Sequence, residues 1–90
     1  MPDSFVVFGF LNCGFYKNAI ELLTSLKADK KHLAVNHDDW SITLKEIRKV
    51  LKSRDVDNHH TSPLVFVNGN YLGGYDSLVA YVMSSQNKKR

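Results

Sequence analysis

Ninety residues with one cysteine and a net charge of +3 fit one domain, residues 1–90, that must fold on packing without an intrachain disulfide. The modest charge, without basic residues interleaved with exposed aromatics, argues against a nucleic-acid partner. No apolar run approaches bilayer length, so no membrane partner is expected.

The opening segment Met1-Pro2-Asp3-Ser4 does not read as a secretory signal. Together with the lack of a disulfide framework, this places the chain in a reducing, cytoplasmic compartment. Ser4 to Phe8 is apolar on both sides of its pleat and reads as a central strand. A Gly-containing loop leads to Asn12 and Cys13, and a helix runs from Cys13 to about Leu26. Ala19, Ile20, Leu23 and Leu26 form its core face. Lys27 to Lys31 is a charged turn, and His32 to Val35 a short second strand. Asn36 to Trp40 is a polar loop, with Trp40 as a packing anchor.

Thr43 and Glu46 match a capping box, and Ile42 with Ile47 a hydrophobic staple, so a second helix begins there and runs to about Ser53. Leu44, Ile47 and Leu51 form its apolar stripe. Asp55 to Ser62 is a loop ending at Pro63. Leu64-Val65-Phe66-Val67 and Asn70-Tyr71-Leu72 flank Asn68-Gly69, the strongest short hairpin signal. A last helix opens at Tyr75 or Asp76 and buries Leu78, Val79 and Val82. The tail Lys88-Lys89-Arg90 is read as solvated. The order strand, helix, strand, helix, hairpin, helix defines an α/β fold: a mixed four-stranded sheet flanked by three helices.

Chemistry concentrates at Cys13. A lone cysteine is most often a small buried apolar residue. Here it lies on a strand-to-helix turn, behind an Asn12 expected to cap the helix, with Lys17 one turn later. The first-turn amides and the positive end of the helix dipole would surround its sulfur and favour the reactive thiolate. The histidines His32, His37, His59 and His60 lack the spacing of a zinc site and are read as solvated, so no metal is expected from them.

Three stretches, in this order and with the hairpin between the last two, resemble the glutaredoxin branch of the thioredoxin fold over nearly the whole chain. Cys13-Gly14-Phe15-Tyr16 stands in the place of the family's active-site motif, and its first three residues match Cys-Gly-Phe-Ser. Thr61-Ser62-Pro63 stands where the family has Thr-Val-Pro with a cis-proline. Gly73-Gly74-Tyr75-Asp76 stands in the place of Gly-Gly-Cys-Asp.

The resemblance implies a glutathione-dependent thiol–disulfide oxidoreductase with Cys13 as catalytic nucleophile. It implies a glutathione site formed by Tyr16, Arg48, Ser62, Pro63, Gly74, Tyr75 and Asp76. Ser62 would offer its backbone to an extended peptide, the helix start at Tyr75 and Asp76 would take a carboxylate, and Asp76 would meet the ligand's ammonium group. Partners would be glutathione and glutathionylated proteins, with a monomeric chain.

Two departures stand out. Phe10 replaces the lysine that most members carry three residues before the cysteine, and Arg48 or His60 would partly take its place. Tyr16 replaces the second cysteine of the dithiol members, which leaves a monothiol mechanism. An alternative reading is a [2Fe–2S] carrier. Two chains would each give a Cys13 thiolate and two glutathiones would complete the four ligands. A further alternative is a non-catalytic interaction module of the same fold.

Overall fold

The computed structural model describes residues 3–87, with side chains through residue 84; the tail Lys88-Lys89-Arg90 lies outside the described residues. Strand β1, Ser4–Phe10, alternates its side chains between two layers. Phe5 and Val7 point to one face, where they meet Tyr16, Ala19 and Leu23 of helix α1, Gly14–Ser25, and Leu78 and Val82 of helix α4, Tyr75–Asn87. Val6 and Phe8 point to the other face. They pack against a second cluster that holds Trp40 and Leu44 of helix α2, Trp40–Val50.

The sheet order is β2-β1-β3-β4. Strand β2, Asp29–Val35, runs parallel to β1, from Ser4 opposite Asp29 to Phe10 opposite Val35. Strand β3, Leu64–Val67, is antiparallel to β1 and buried at all four positions, because Leu64 and Phe66 serve one core cluster while Val65 and Val67 serve the other. Strand β4, Asn70–Gly73, closes the hairpin and shifts register between Val65 and Phe66. Its turn residues Asn68 and Gly69 take φ of 53° and 84°, the left-handed pair that a two-residue hairpin turn requires. The mixed four-stranded sheet between helical layers is the thioredoxin-like architecture expected from the sequence.

The boundaries differ in instructive ways. Helix α2 starts at Trp40, three residues before Thr43, and continues from a 3-10 turn at His37–Asp39. The Thr43–Glu46 capping box therefore does not form at a helix start, and the staple residue Ile42 is exposed. Burial of Trp40 and Leu44 on one helical face outweighs the local cap. Strand β2 begins at Asp29 rather than His32, because pairing with β1 extends through the charged residues Lys30 and Lys31; charges on an edge strand also discourage further pairing.

Helix α1 ends at Ser25, and Leu26, expected in the core, is its partly exposed C-cap. An additional helix, α3 at Arg54–Asp57, interrupts the expected loop and buries Val56 in the second cluster.

The start of β1 is tied to α4 and the hairpin by one carboxylate. Asp3 accepts from the Tyr81 hydroxyl at 2.6 Å and from Asn68 Nδ2 at 2.9 Å, while Ser4 N donates to Asn68 Oδ1 at 3.0 Å. The Tyr81 hydroxyl first, and the Asn68 amide second, hold the Asp3 carboxyl below its ordinary value of 3.8. The same hydrogen bond, more than desolvation, raises the Tyr81 phenol above its ordinary 10.0.

The signs follow from linkage. A lowered carboxyl stabilises the fold above the ordinary carboxylate range, and this is lost as pH falls through the lowered value. A raised phenol stabilises it below pH 10.0, and this is lost as pH rises through the raised value. Tyr81→Phe is therefore expected to melt below the wild type at neutral pH, with the gap narrowing at both acid and alkaline extremes. Thermal unfolding across pH checks this, and a gap independent of pH would contradict it.

Candidate active site

Strand β1 runs out at Phe10, and the chain turns through Leu11 and Asn12 into α1. The turn is fixed at both ends: Leu11 N donates to Val35 O at 2.8 Å, and Cys13 N donates to Phe10 O at 3.1 Å. Asn12 does not cap the helix. Cys13 itself occupies the N-cap position with extended backbone, φ −89° and ψ 117°, and its sulfur accepts from Tyr16 N at 3.4 Å. The side-chain acceptor of the cap is thus the cysteine sulfur. An N–H bond to sulfur strengthens when the sulfur becomes an anion, and the helix dipole acts in the same direction.

The second partner of the sulfur comes from 49 residues away. The Cys13 thiol donates to Ser62 O at 3.5 Å, and the Ser62–Pro63 peptide is cis, as the Thr61-Ser62-Pro63 stretch leads one to expect. The Ser62 hydroxyl accepts from Phe10 N at 3.2 Å, so the loop before Pro63 is bound to both sides of the cysteine turn. Gly9 makes this approach possible. A Cβ there would strike the Tyr16 ring and lie 2.8 Å from Ser62 Oγ.

Cys13 opens onto a cleft of about 710 Å³. Ser62 forms one side, and Gly74, Tyr75 and Asp76 at the start of α4 form another. Another part of the lining is aromatic. Phe10 meets His37 edge to face with ring centroids 4.7 Å apart and Trp40 at 6.1 Å, and the Trp40 indole donates to His60 O at 3.2 Å. Beside the cysteine, Phe15 and Tyr75 lie 5.9 Å apart, and Phe15 is 60% exposed.

Cys13, Ser62, Gly74, Tyr75 and Asp76 therefore share one cleft, whereas Tyr16, Arg48 and Pro63 do not line it. Tyr16 is buried; only its amide serves the sulfur, and its hydroxyl lies 3.0 Å from His32 Nδ1. Burial pushes the Tyr16 phenol up. Arg48 supports the loop from behind, donating through Nη2 to His59 O at 2.8 Å and through Nε to Val56 O at 3.4 Å, with His60 Nδ1 3.1 Å from Nη2. Pro63 is fully buried.

Three of the four histidines, His32, His37 and His60, are exposed, and His59 is not. The exposed His32 meets the Tyr16 hydroxyl, whereas His59 is buried at 8% exposure between Tyr71 and the Pro63 carbonyl. No local sequence signal separates His59 from its exposed neighbour His60. Among the described residues no group of three or more His, Cys, Asp or Glu side chains is placed to hold a metal ion. With one cysteine per chain, a [2Fe–2S] cluster would need a second chain and external thiols to complete its ligands.

A strand, a cysteine at a helix N-cap, a cis-proline loop touching its sulfur and a Gly-Gly turn opening a last helix come together here on a thioredoxin-like fold. The chain, whose single cysteine is Cys13, is similar in sequence and in structure to glutaredoxins. No protein-family model matches the chain. It is 26% identical over 84 residues to a protein of Acanthamoeba polyphaga mimivirus described as "Probable glutaredoxin", covering 90% of this chain and 79% of the relative. The dithiolic glutaredoxin 2-C-Grx1 of Trypanosoma brucei brucei is similar in structure, with a TM-score of 0.69 and 28% identity over 91% of this chain and 79% of that one. Buckwheat glutaredoxin, solved as a complex with glutathione, shares the fold at a TM-score of 0.67 and 22% identity, over 93% of this chain and 72% of that one.

Proposed function

We propose that the protein reduces mixed disulfides between glutathione and protein thiols by a monothiol mechanism. The observation that carries this reading is the single sulfur of Cys13, which accepts from the Tyr16 amide and lies against Ser62 at the edge of an open cleft. In the first step the Cys13 thiolate attacks the glutathionyl sulfur. The disulfide breaks, the protein thiolate leaves and takes up a proton, and Cys13 becomes glutathionylated. In the second step the thiolate of another glutathione attacks that sulfur, releasing oxidised glutathione and the Cys13 thiolate. Each step exchanges one S–S bond for another, so one well-placed cysteine suffices.

Glutathione would lie extended along the cleft. The Ser62 backbone pairs with it as an added strand does. The opening amides of α4 at Tyr75 and Asp76 receive a carboxylate, and the Asp76 side chain receives the ammonium group. Gly74 leaves room for the backbone to approach. Tyr16 and Arg48 act indirectly, Tyr16 through its amide on the sulfur and Arg48 by bracing the loop that carries Ser62. Glutathionylated proteins would be the partners, the cytoplasm the compartment and a monomer the working form.

Turnover of a glutathionylated peptide with reduced glutathione tests the reading. Wild type is expected to be active, and Cys13→Ser to lose turnover completely. Activity retained in Cys13→Ser would contradict it.

Phe10 sets a second expectation. Its ring packs on His37 and Trp40 in the lining of the cleft and offers no charge to a carboxylate. Phe10→Lys would keep part of that packing through its methylenes and add a cation at the rim. A partly exposed ion pair contributes roughly 0.5–1 kcal/mol, about a two- to fivefold gain in affinity. The apparent KM for glutathione is expected to fall by that factor at an unchanged melting temperature. An unchanged or higher KM would mean that glutathione does not extend toward Phe10.

A further inference from the structure

His59 takes no part in the chemistry above, yet it is buried and makes contacts on three sides. Its Nε2 lies 3.1 Å from Pro63 O, its Nδ1 lies 2.8 Å from the Tyr71 hydroxyl on β4, and Thr61 Oγ1 stands 3.5 Å from Nε2. A carbonyl only accepts, so Nε2 carries the proton and donates to Pro63 O. In the neutral ring Nδ1 is then an acceptor, and the Tyr71 hydroxyl donates to it. Edge-to-face packing of the two rings at 5.6 Å reinforces the pair.

Gly74 lies beside the same ring. A Cβ placed on Gly74 would lie 3.6 Å from Pro63 O and 3.8 Å from His59 Cε1, so this glycine sits against the atoms that His59 fixes. Ser62, carried on the Ser62–Pro63 loop, and Gly74–Asp76 are two sides of the cleft. The imidazole is bonded directly to the first side and to β4, the strand that leads into the second. The Arg48 guanidinium holds the His59 carbonyl from behind, which fixes the residue's backbone.

We infer that His59 is a positioning residue that sets the spacing between the Ser62–Pro63 loop and the Gly74–Asp76 turn, and thereby governs how tightly the glutathionyl group is held. The inference rests on the glutathione reading of the cleft. It separates binding from reactivity, because the contacts of the Cys13 sulfur run through Tyr16 N and Ser62 O while His59 reaches the cleft through Pro63 and β4. Loss of the ring should loosen the bound peptide more than it alters the sulfur.

The ring's two nitrogens allow a test by atom. In His59→Gln the side-chain amide can still donate toward Pro63 O, while the Tyr71 partner is lost. In His59→Asn the shorter side chain can still accept from Tyr71 but does not reach Pro63 O. His59→Ala loses both. Steady-state turnover of a glutathionylated peptide with varied glutathione should show apparent KM raised about five- to tenfold in His59→Ala, the range that loss of a buried hydrogen bond implies. The rise should be similar in His59→Asn and largely restored in His59→Gln. The rate of Cys13 alkylation by iodoacetamide should change less than twofold in all three.

Wild-type KM in His59→Ala would overturn the inference. So would equal effects of Gln and Asn, or alkylation that falls in parallel with turnover, since these are the marks of a general packing role. Should His59→Ala fail to fold, the Gln and Asn pair decides the question alone. A wild type without glutathione-dependent turnover would instead sink the glutathione reading, and this inference with it.

Discussion

The site depends on one long-range contact, the Cys13 sulfur against the Ser62 carbonyl. The Ser62 side chain adds a second tie to Phe10 N across 52 residues. Between them, two turns that are distant in sequence become one surface. Neither turn could hold that surface alone, because each is short and mostly irregular. The sheet makes the meeting possible: β1 and β3 are neighbours, so the C-terminal end of β1 and the N-terminal end of β3 lie side by side. Cys13 follows the first strand and Ser62 precedes the second.

Burial on both faces of the sheet keeps those strand ends in place. β3 contributes to both clusters, and Val7, Leu23, Leu64 and Leu78 have no exposed surface. Fully burying an aliphatic side chain of this size contributes about 1.5–3 kcal/mol, more than any single polar contact at the site. The polar contacts act on geometry. The Tyr16 amide, the Ser62 carbonyl and the His59–Pro63 bond place groups to within hydrogen-bond distance on a scaffold whose stability comes from packing.

Sequence alone was informative where the cause is local. Asn68-Gly69 takes its turn because both residues tolerate positive φ. Cys13 stands at the helix start that follows an apolar strand, although the strand runs on through Gly9 to Phe10 and the turn is Leu11-Asn12, with no glycine in it. The order of elements followed from apolar periodicity, and the groups gathered around the cleft at Ser62, Gly74, Tyr75 and Asp76 followed from motif resemblance. What sequence missed has a tertiary cause. A well-formed capping signal at Thr43 and Glu46 lost to the burial of Trp40. Asn12, a good cap by type, yielded that place to Cys13, whose sulfur accepts the first-turn amide. Tyr16 and Arg48 looked like ligand contacts. In the fold one fills the core beside Gly9 and the other braces a loop, because their side chains point away from the cleft. His59 could not be told from His60 until the partners from β4 and Pro63 were in place.

In the proposed cycle Cys13 exchanges a glutathionyl group with a thiol by itself. Mass spectrometry of the intact protein after mixing with oxidised glutathione, and again after adding reduced glutathione, tests it most directly. One glutathionyl group is expected on Cys13, and reduced glutathione is expected to remove it faster than it cleaves the same mixed disulfide of free cysteine. A Cys13 that stays unmodified, or an adduct that leaves no faster than from free cysteine, would contradict it.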